Sequence, residues 1–254
     1  SGSCDGTVRI WATNTKQQRC TAVLAHHKDW VTSLQSLTQP GSGSASLVTG
    51  SADKTVAVWD AQVGDLVLHQ PAHQTGAITG LTTNHAQPNL FISTSTASQT
   101  VKLWDIQAGQ TEVQALGGKP GQGLINQTIW PTETLFASCY TDGLVCIWDI
   151  RKPTQPLAVL QGSKTESSVT ALAMYTAFSE TAHKFVKGAK EKSGQQLLIC
   201  GTADGFLTQW DLATLHETNF YQAHSGRINS IAYSPFSHQI TTASADGVVK
   251  VWQA

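Results

Sequence analysis

The chain has 254 residues, of which 40% are hydrophobic and 13% are charged, and its formal net charge is −1. This composition supports a large folded core and argues against an intrinsically disordered chain. The near-neutral charge gives no overall basic field that would attract nucleic acid or an anionic membrane, so no direct nucleic acid binding is expected. No apolar run approaches the ~18 residues that span a bilayer, so we expect no membrane insertion.

The cysteines are scattered and odd in number, and none of them forms a Cys-x-x-Cys pair. This spacing predicts neither a disulfide framework nor a structural zinc site. It favours a reducing compartment and therefore an intracellular protein, cytoplasmic or nuclear. The five residues are Cys4, Cys20, Cys139, Cys146 and Cys200.

One segment recurs six times along the chain, and each copy ends in a tryptophan. Each copy contains a turn sequence, often Asp-Gly, that separates an apolar strand from a second strand with alternating side chains. The tryptophans are 42 to 48 residues apart, except for one interval of 62. The copies are 2–11, 50–59, 95–104, 139–148, 201–210 and 243–252.

Further short apolar strands flank these copies. One strand precedes five of them, as in "VTSLQS" at 31–36, and another follows the tryptophan, as in "LVLHQ" at 66–70. The pattern predicts two strands for the first unit, four for each of the next four units, and three for the last. A period of about 40–45 residues with four short strands is typical of a β-propeller blade.

The six copies resemble the repeats of WD-repeat β-propellers over essentially the whole chain. Trp-Asp stands at 59–60, 104–105, 148–149 and 210–211, whereas the first and last copies end in Trp-Ala and Trp-Gln. The resemblance implies an all-β WD-repeat β-propeller with seven blades in the parent protein, of which six, two of them partial, are represented here. It implies a single domain over 1–254. Because such propellers complete a blade with strands from both termini, we expect sequence to be missing on at least one side.

The resemblance also implies a buried chain of tryptophan, hydroxyl, histidine and aspartate side chains in each blade. Two copies match it in full: His27, Thr49, Asp53 and Trp59, and His224, Thr242, Asp246 and Trp252. The other four copies match in part. The third has His73, Thr94 and Trp104, but Ser98 replaces the aspartate, and the fourth has Ser138, Asp142 and Trp148 without a histidine. The fifth has Asp204 and Trp210 with Cys200 at the hydroxyl position, and the first has Ser1, Asp5 and Trp11.

These polar groups do not predict a catalytic triad. A nucleophile needs an exposed oxygen beside an oxyanion hole, whereas here the hydroxyl accepts from an indole N–H within a sheet. Buried polar groups that satisfy each other serve architecture. We therefore predict structural tetrads and a protein that is not an enzyme, with no catalytic residue, metal site or cofactor.

A candidate docking motif lies at 136–151, "FASCYTDGLVCIWDIR". Its ending, Trp-Asp-x-Arg, resembles the motif by which some WD-repeat proteins dock onto the adaptor of a cullin ubiquitin ligase. Asp149 and Arg151 then offer a charged fork to that adaptor. The alternative interpretation is a local ion pair between the same two side chains.

The interval of 62 residues predicts an insertion at about 176–196. Phe178, Phe185 and neighbouring apolar residues fall on one face of a helix, with Lys184 and Lys187 mainly off that face. The segment is either a solvated excursion that covers its own blade or an element that binds a partner.

Trp30 does not occupy a repeat-tryptophan position. It lies in a loop between units, with Lys28 and Asp29 beside it, and Arg227 takes the equivalent place before the last unit. The resemblance implies that such loops line a face that binds peptides, and tryptophan and arginine are favoured at interface hot spots. The alternative is that Trp30 packs on the neighbouring blade.

These features predict a non-enzymatic protein-interaction scaffold, a subunit of a larger assembly with several protein or peptide partners. A second hypothesis is a substrate receptor of a cullin-based ubiquitin ligase. A third is a propeller enzyme with a polar or metal-binding cluster in its channel.

Overall fold

The regular elements of the protein are β-strands throughout the part of the chain that the computed structural model describes. That part comprises residues 1–12, 19–38, 45–84, 86–97, 101–107, 111–116, 123–152, 154–177 and 195–253. The strands are β1 Thr7–Ala12, β2 Arg19–Ala25, β3 Val31–Thr38, β4 Ala45–Ser51, β5 Thr55–Asp60, β6 Leu66–Pro71, β7 Ile78–Asn84, β8 Gln87–Ser95, β9 Val101–Asp105, β10 Thr111–Leu116, β11 Ile125–Ile129, β12 Leu135–Tyr140, β13 Leu144–Asp149, β14 Ala158–Gln161, β15 Val169–Ala177, β16 Gln195–Thr202, β17 Phe206–Asp211, β18 Glu217–Gln222, β19 Ile228–Ser234, β20 Gln239–Ser244 and β21 Val249–Gln253. Within these ranges no helix is long and apolar enough to cross a lipid bilayer.

The strands form six sheets, numbered here in chain order, in which consecutive strands lie side by side. Sheet 1 contains β1 and β2, sheets 2 to 5 contain four strands each from β3 to β18, and sheet 6 contains β19 to β21. Wherever pairing is described it is antiparallel, as in β4 with β5 and β16 with β17. This arrangement confirms the predicted all-β class and the predicted number of strands in each unit.

The turn between the second and third strands of a sheet depends on a left-handed backbone position. Gly143, Gly205 and Gly247 adopt φ values of 85°, 88° and 80° there. Sheet 2 has Lys54 with φ 71° at the same place. Glycine meets this requirement without a steric penalty, which explains why Asp-Gly recurs in the repeats.

The chain divides into two compact units, residues 1–138 with 146–157 and residues 139–145 with 158–254. In the first unit Val56 and Val58 of β5 are fully buried and join a cluster that includes Phe91 and Trp104 of sheet 3. In the second unit Leu207 of β17 joins a cluster that includes Ile228 of sheet 6. Full burial of such side chains contributes about 1.5–3 kcal/mol each, so packing between successive sheets forms the core of each unit.

A threonine hydroxyl joins successive first strands within each unit. Thr32 of β3 donates to the carbonyl oxygen of Ile78 at the start of β7, at 2.5 Å. Thr170 of β15 donates in the same way to the carbonyl of Ile228 at the start of β19. Each hydroxyl also reaches a carbonyl of its own sheet, so the polar group is satisfied where the two sheets meet.

Candidate functional site

In sheet 2 the predicted polar residues form one continuous hydrogen-bond chain. The indole N–H of Trp59 donates to Thr49 Oγ1 at 2.9 Å, and His27 Nε2 lies 2.8 Å from the same hydroxyl. His27 Nδ1 lies 3.2 Å from Asp53 Oδ2. Since an ionised carboxylate only accepts, it takes the Nδ1 hydrogen, and a neutral imidazole satisfies both of its neighbours.

The two titratable members of this chain are held in fixed charge states at neutral pH. Burial lowers the pKa of His27, although Asp53 acts to raise it. Burial acts to raise the pKa of Asp53, but hydrogen bonds from Thr55 and from the backbone N–H of Lys28 outweigh it and bring the pKa to about 2. The result is a neutral ring beside an ionised carboxylate.

Sheet 6 repeats this arrangement. The indole N–H of Trp252 donates to Thr242 Oγ1 at 3.0 Å, His224 Nε2 lies 2.8 Å from that oxygen, and His224 Nδ1 lies 3.0 Å from Asp246 Oδ2. Burial acts to raise the pKa of Asp246, but hydrogen bonds including those from the Val248 backbone N–H and from His224 bring it to about 2. The hydroxyls of both tetrads are buried and bonded to indole and imidazole groups, so the geometry is structural and offers no exposed nucleophile.

In sheet 3 the hydroxyl of the chain is Ser93, which corrects the expectation of Thr94. Trp104 Nε1 donates to Ser93 Oγ at 2.9 Å, and His73 Nε2 lies 3.1 Å from the same oxygen. In sheets 2 and 6 the hydroxyl residue pairs with the residue two before the tryptophan, and in sheet 3 Ser93 pairs with Lys102 in the same way. The hairpin of this copy is one residue longer, so counting ten residues back from the tryptophan selects the wrong side chain. Ser98 lies outside the described residues.

Sheet 5 contains a substitution that the sequence reasoning missed. Thr165, four residues before the first strand as His27 is in sheet 2, donates its hydroxyl to Asp204 Oδ2 and so takes the place of the histidine. Cys200 occupies the hydroxyl position, opposite Thr208. Burial raises the pKa of the Cys200 thiol well above its usual value. The buried indole N–H of Trp210 has no hydrogen-bond partner within the described part of the chain.

Two other sheets keep only part of the hydrogen-bond chain. Trp148 Nε1 donates to Ser138 Oγ at 2.8 Å inside the core. In sheet 1, Trp11 Nε1 donates to Ser1 Oγ at 2.9 Å, with Trp11 47% exposed. Asp5 there receives the backbone N–H and hydroxyl of Thr7 and pairs with Arg9.

Asp149 and Arg151 form the local ion pair that was the alternative to a docking fork. Arg151 Nε and Nη2 donate to the two carboxylate oxygens at 2.9 and 2.6 Å. The side-chain hydrogen bonds from Arg151, with its backbone N–H, bring the pKa of Asp149 to about 2. The Arg151 side chain remains 68% exposed, so the pair lies on the surface with its guanidinium directed at Asp149.

Trp30 projects into solvent, with 58% of its surface exposed. The loop that carries it is held in place by hydrogen bonds on both sides. The N–H of Lys28 donates to Asp53 at 2.8 Å, and the carbonyl of Trp30 accepts from Ala52 at 2.8 Å. The carbonyl of Asp29 accepts from Ser51 Oγ at 3.1 Å. Lys28, Asp29 and Trp30 are therefore exposed side chains on a fixed backbone.

Arg227 occupies the same position in sheet 6. Its carbonyl accepts from the N–H of Ala245 at 2.8 Å, as the carbonyl of Trp30 accepts from Ala52, and its side chain is exposed. The insertion residues Phe178, Lys184, Phe185 and Lys187 lie outside the described residues. Among the residues whose positions are described, no group of three or more His, Cys, Asp or Glu side chains could hold a metal ion.

A sequence profile of the family described as "WD domain, G-beta repeat" matches residues 18–60, 64–105, 123–149 and 215–253, which is more than half of the chain.

Similarity to curated proteins extends along the chain. The guanine nucleotide-binding protein subunit beta of Oryza sativa subsp. japonica is 25% identical over 265 residues, covering 99% of this chain and 65% of that protein. The serine-threonine kinase receptor-associated protein of Gallus gallus is 22% identical over 225 residues, covering 81% of this chain and 62% of that protein. The chain thus spans less than two thirds of the length of these relatives.

Proposed function

Because the chain belongs to the WD-repeat family, we propose that it is a non-enzymatic interaction scaffold, a subunit of a larger protein assembly. We further propose that Lys28, Asp29 and Trp30, here called the Trp30 surface, contact a protein or peptide partner. The names of two relatives support an assembly role, since one is a subunit and the other is receptor-associated.

The observation that carries this proposal is the exposure of Trp30 on a loop whose backbone is hydrogen-bonded to residues 51–53. An indole that stays in solvent loses little conformational entropy when a partner covers it, because its loop is already ordered. Adjacent charges of opposite sign at Lys28 and Asp29 allow a polar rim around an aromatic anchor.

Quantitative affinity purification tests the proposal with wild-type protein, Trp30→Ala and Phe236→Ala. Phe236 is a matched control, since it is 97% exposed and lies in the other compact unit. We expect Trp30→Ala to lose at least one partner that Phe236→Ala retains, with unchanged thermal unfolding. Identical partners for all three proteins would refute a role for the Trp30 surface.

The same experiment separates the scaffold from a ligase substrate receptor. An Arg151→Ala variant removes the guanidinium of the Trp-Asp-x-Arg motif while leaving Trp30 in place. Recovery of a cullin-ligase adaptor with wild-type protein, and its loss with Arg151→Ala, would favour the substrate-receptor function instead.

A further inference from the structure

Three imidazole rings lie together at the base of the loop that carries Trp30. His26 and His27 belong to the connection between β2 and β3, and His69 belongs to β6. The ring centroids of His26 and His69 are 4.3 Å apart, and those of His27 and His69 are 6.2 Å apart. His26 is exposed, His69 is half-buried and His27 is buried, so the cluster runs from solvent into the tetrad of sheet 2.

Among the residues that the structure describes, two charged groups of opposite sign act on this cluster at neutral pH. They are the ammonium of Lys28, on the same loop, and the carboxylate of Asp53, on the turn between β4 and β5. Asp53 is already engaged by His27, Thr55 and the Lys28 backbone. Acidification adds up to three positive charges around this single carboxylate, and like charges at such short separations repel.

The direction of the pKa shifts follows from the same geometry. Burial lowers the pKa of His69, and the charges of His26 and His27 lower it further. Burial likewise lowers the pKa of His27. A histidine whose pKa in the folded state lies below its ordinary 6.5 binds fewer protons there than when the segment is open. The folded arrangement is therefore favoured above about pH 6.5 and loses that advantage as the pH falls.

The tetrad itself does not require His26. Ala72 and Ala223 stand immediately before His73 and His224, where His26 precedes His27. Sheet 6 forms a complete tetrad although alanine precedes its histidine. The position of His69 is taken in sheet 5 by Phe220, which pairs with Thr208 as His69 pairs with Ala57. An imidazole is therefore not a constant feature of either position in these sheets.

We propose that His26, His27 and His69 form a pH gate for the Trp30 surface, which releases the loop of residues 26–30 from β6 in mildly acidic solution. Protonation of His26 and His69 forces their rings apart, and protonation of His27 places a further positive charge beside them. The loop then loses its packing on β6, and its opening also breaks the hydrogen bonds that join Lys28, Asp29 and Trp30 to residues 51–53. The functional consequence, release of a partner from the Trp30 surface below about pH 6, rests on the proposed function.

Hydrogen–deuterium exchange tests the gate without a partner. Peptides covering 26–31 and 66–71 are compared at pH 7.5 and 5.5 after correction for the intrinsic exchange rate. We expect their protection in the wild-type protein to fall by up to about tenfold at pH 5.5, because a histidine with the ordinary pKa of 6.5 in the open segment is protonated about ten to one at this pH. A His26→Ala/His69→Phe double variant, which carries the residue that precedes His224 and the residue that sheet 5 has at the position of His69, is expected to keep its protection. His216→Ala, at an exposed histidine in the other compact unit, is expected to behave like wild type.

The exchange experiment has three outcomes that would contradict the pH gate. Unchanged wild-type protection at pH 5.5, or an equal loss in the double variant, would overturn the gate. Loss that extends to the β20 peptide 239–244 would mean general acid unfolding and would also overturn it. The gate and the proposed function fail separately, since a Trp30→Ala variant that keeps every partner refutes the binding surface while leaving the exchange result intact.

Discussion

The indole N–H of Trp104 donates to Ser93 Oγ at 2.9 Å, while the adjacent Thr94 hydroxyl lies 3.4 Å from the Gly80 carbonyl. Neighbouring side chains on a strand point to opposite faces of the sheet, so one hydroxyl completes the tetrad chain and the other does not. His73 also reaches Ser93, which makes this oxygen the centre of the polar chain in sheet 3.

Replacement of Ser93 is therefore expected to cost more stability than replacement of Thr94. Ser93→Ala leaves the buried Trp104 N–H without its acceptor, and we expect the free energy of unfolding to fall by about 1–3 kcal/mol. Thr94→Val keeps the branched shape and removes only contacts of 3.4–3.5 Å, so its cost should stay below about 1 kcal/mol. Chemical denaturation measures both, and the reverse order would restore Thr94 as the tetrad residue.

Sheet 5 offers the converse experiment, in which a missing hydrogen bond is supplied. Trp210 has a buried N–H without an acceptor, and Cys200 stands where the other sheets carry a hydroxyl. We expect Cys200→Ser to raise the free energy of unfolding by about 0.5–1.5 kcal/mol, the net value of one such bond. The gain should vanish in a Trp210→Phe background, because that variant has no N–H to satisfy. An equal gain in both backgrounds would show that the serine stabilises the protein without accepting a hydrogen bond from Trp210.

The sequence alone predicted the repeating fold because six copies carry the same turn, alternating strand and tryptophan. Periodicity does not depend on any single side chain, so departures such as Lys54 in place of glycine did not obscure it. The register of an individual hairpin is different. One additional residue between Ser93 and Lys102 moves the hydroxyl from one face to the other, and only the strand pairing reveals it.

The candidate site was predictable as a list of residues and not as an arrangement. Asp149 and Arg151 fit both a docking fork and a local pair, and the local pair that the structure contains is visible only from its side-chain geometry. Thr165 carried no recognisable signal, since a threonine in place of a histidine breaks the motif while keeping a hydrogen bond to Asp204. The contact between His26 and His69 joins residues 43 positions apart, which no local pattern encodes.

The turns at Gly205 and Gly247 provide a final prediction, because they share a backbone conformation and differ in their surroundings. Both glycines have positive φ, 88° and 80°. A Cβ on Gly205 would lie 2.1 Å from the carbonyl oxygen of His224, whereas a Cβ on Gly247 would meet no described atom within 4 Å. Gly247→Ala should therefore cost only the left-handed penalty, about 1–2 kcal/mol.

Gly205→Ala should cost that penalty and, in addition, about 1–3 kcal/mol for displacing backbone that cannot move aside as a side chain can. The displaced carbonyl belongs to His224, so the variant should also lengthen the His224–Asp246 contact, now 3.0 Å. Urea denaturation of the two variants measures the difference, and the NMR chemical shifts of the His224 ring at fixed pH report the disturbed tetrad. The two losses can be compared directly because both positions lie in the same compact unit. Equal losses of stability would mean that the backbone at His224 moves away from the new Cβ at no cost, which would contradict this prediction.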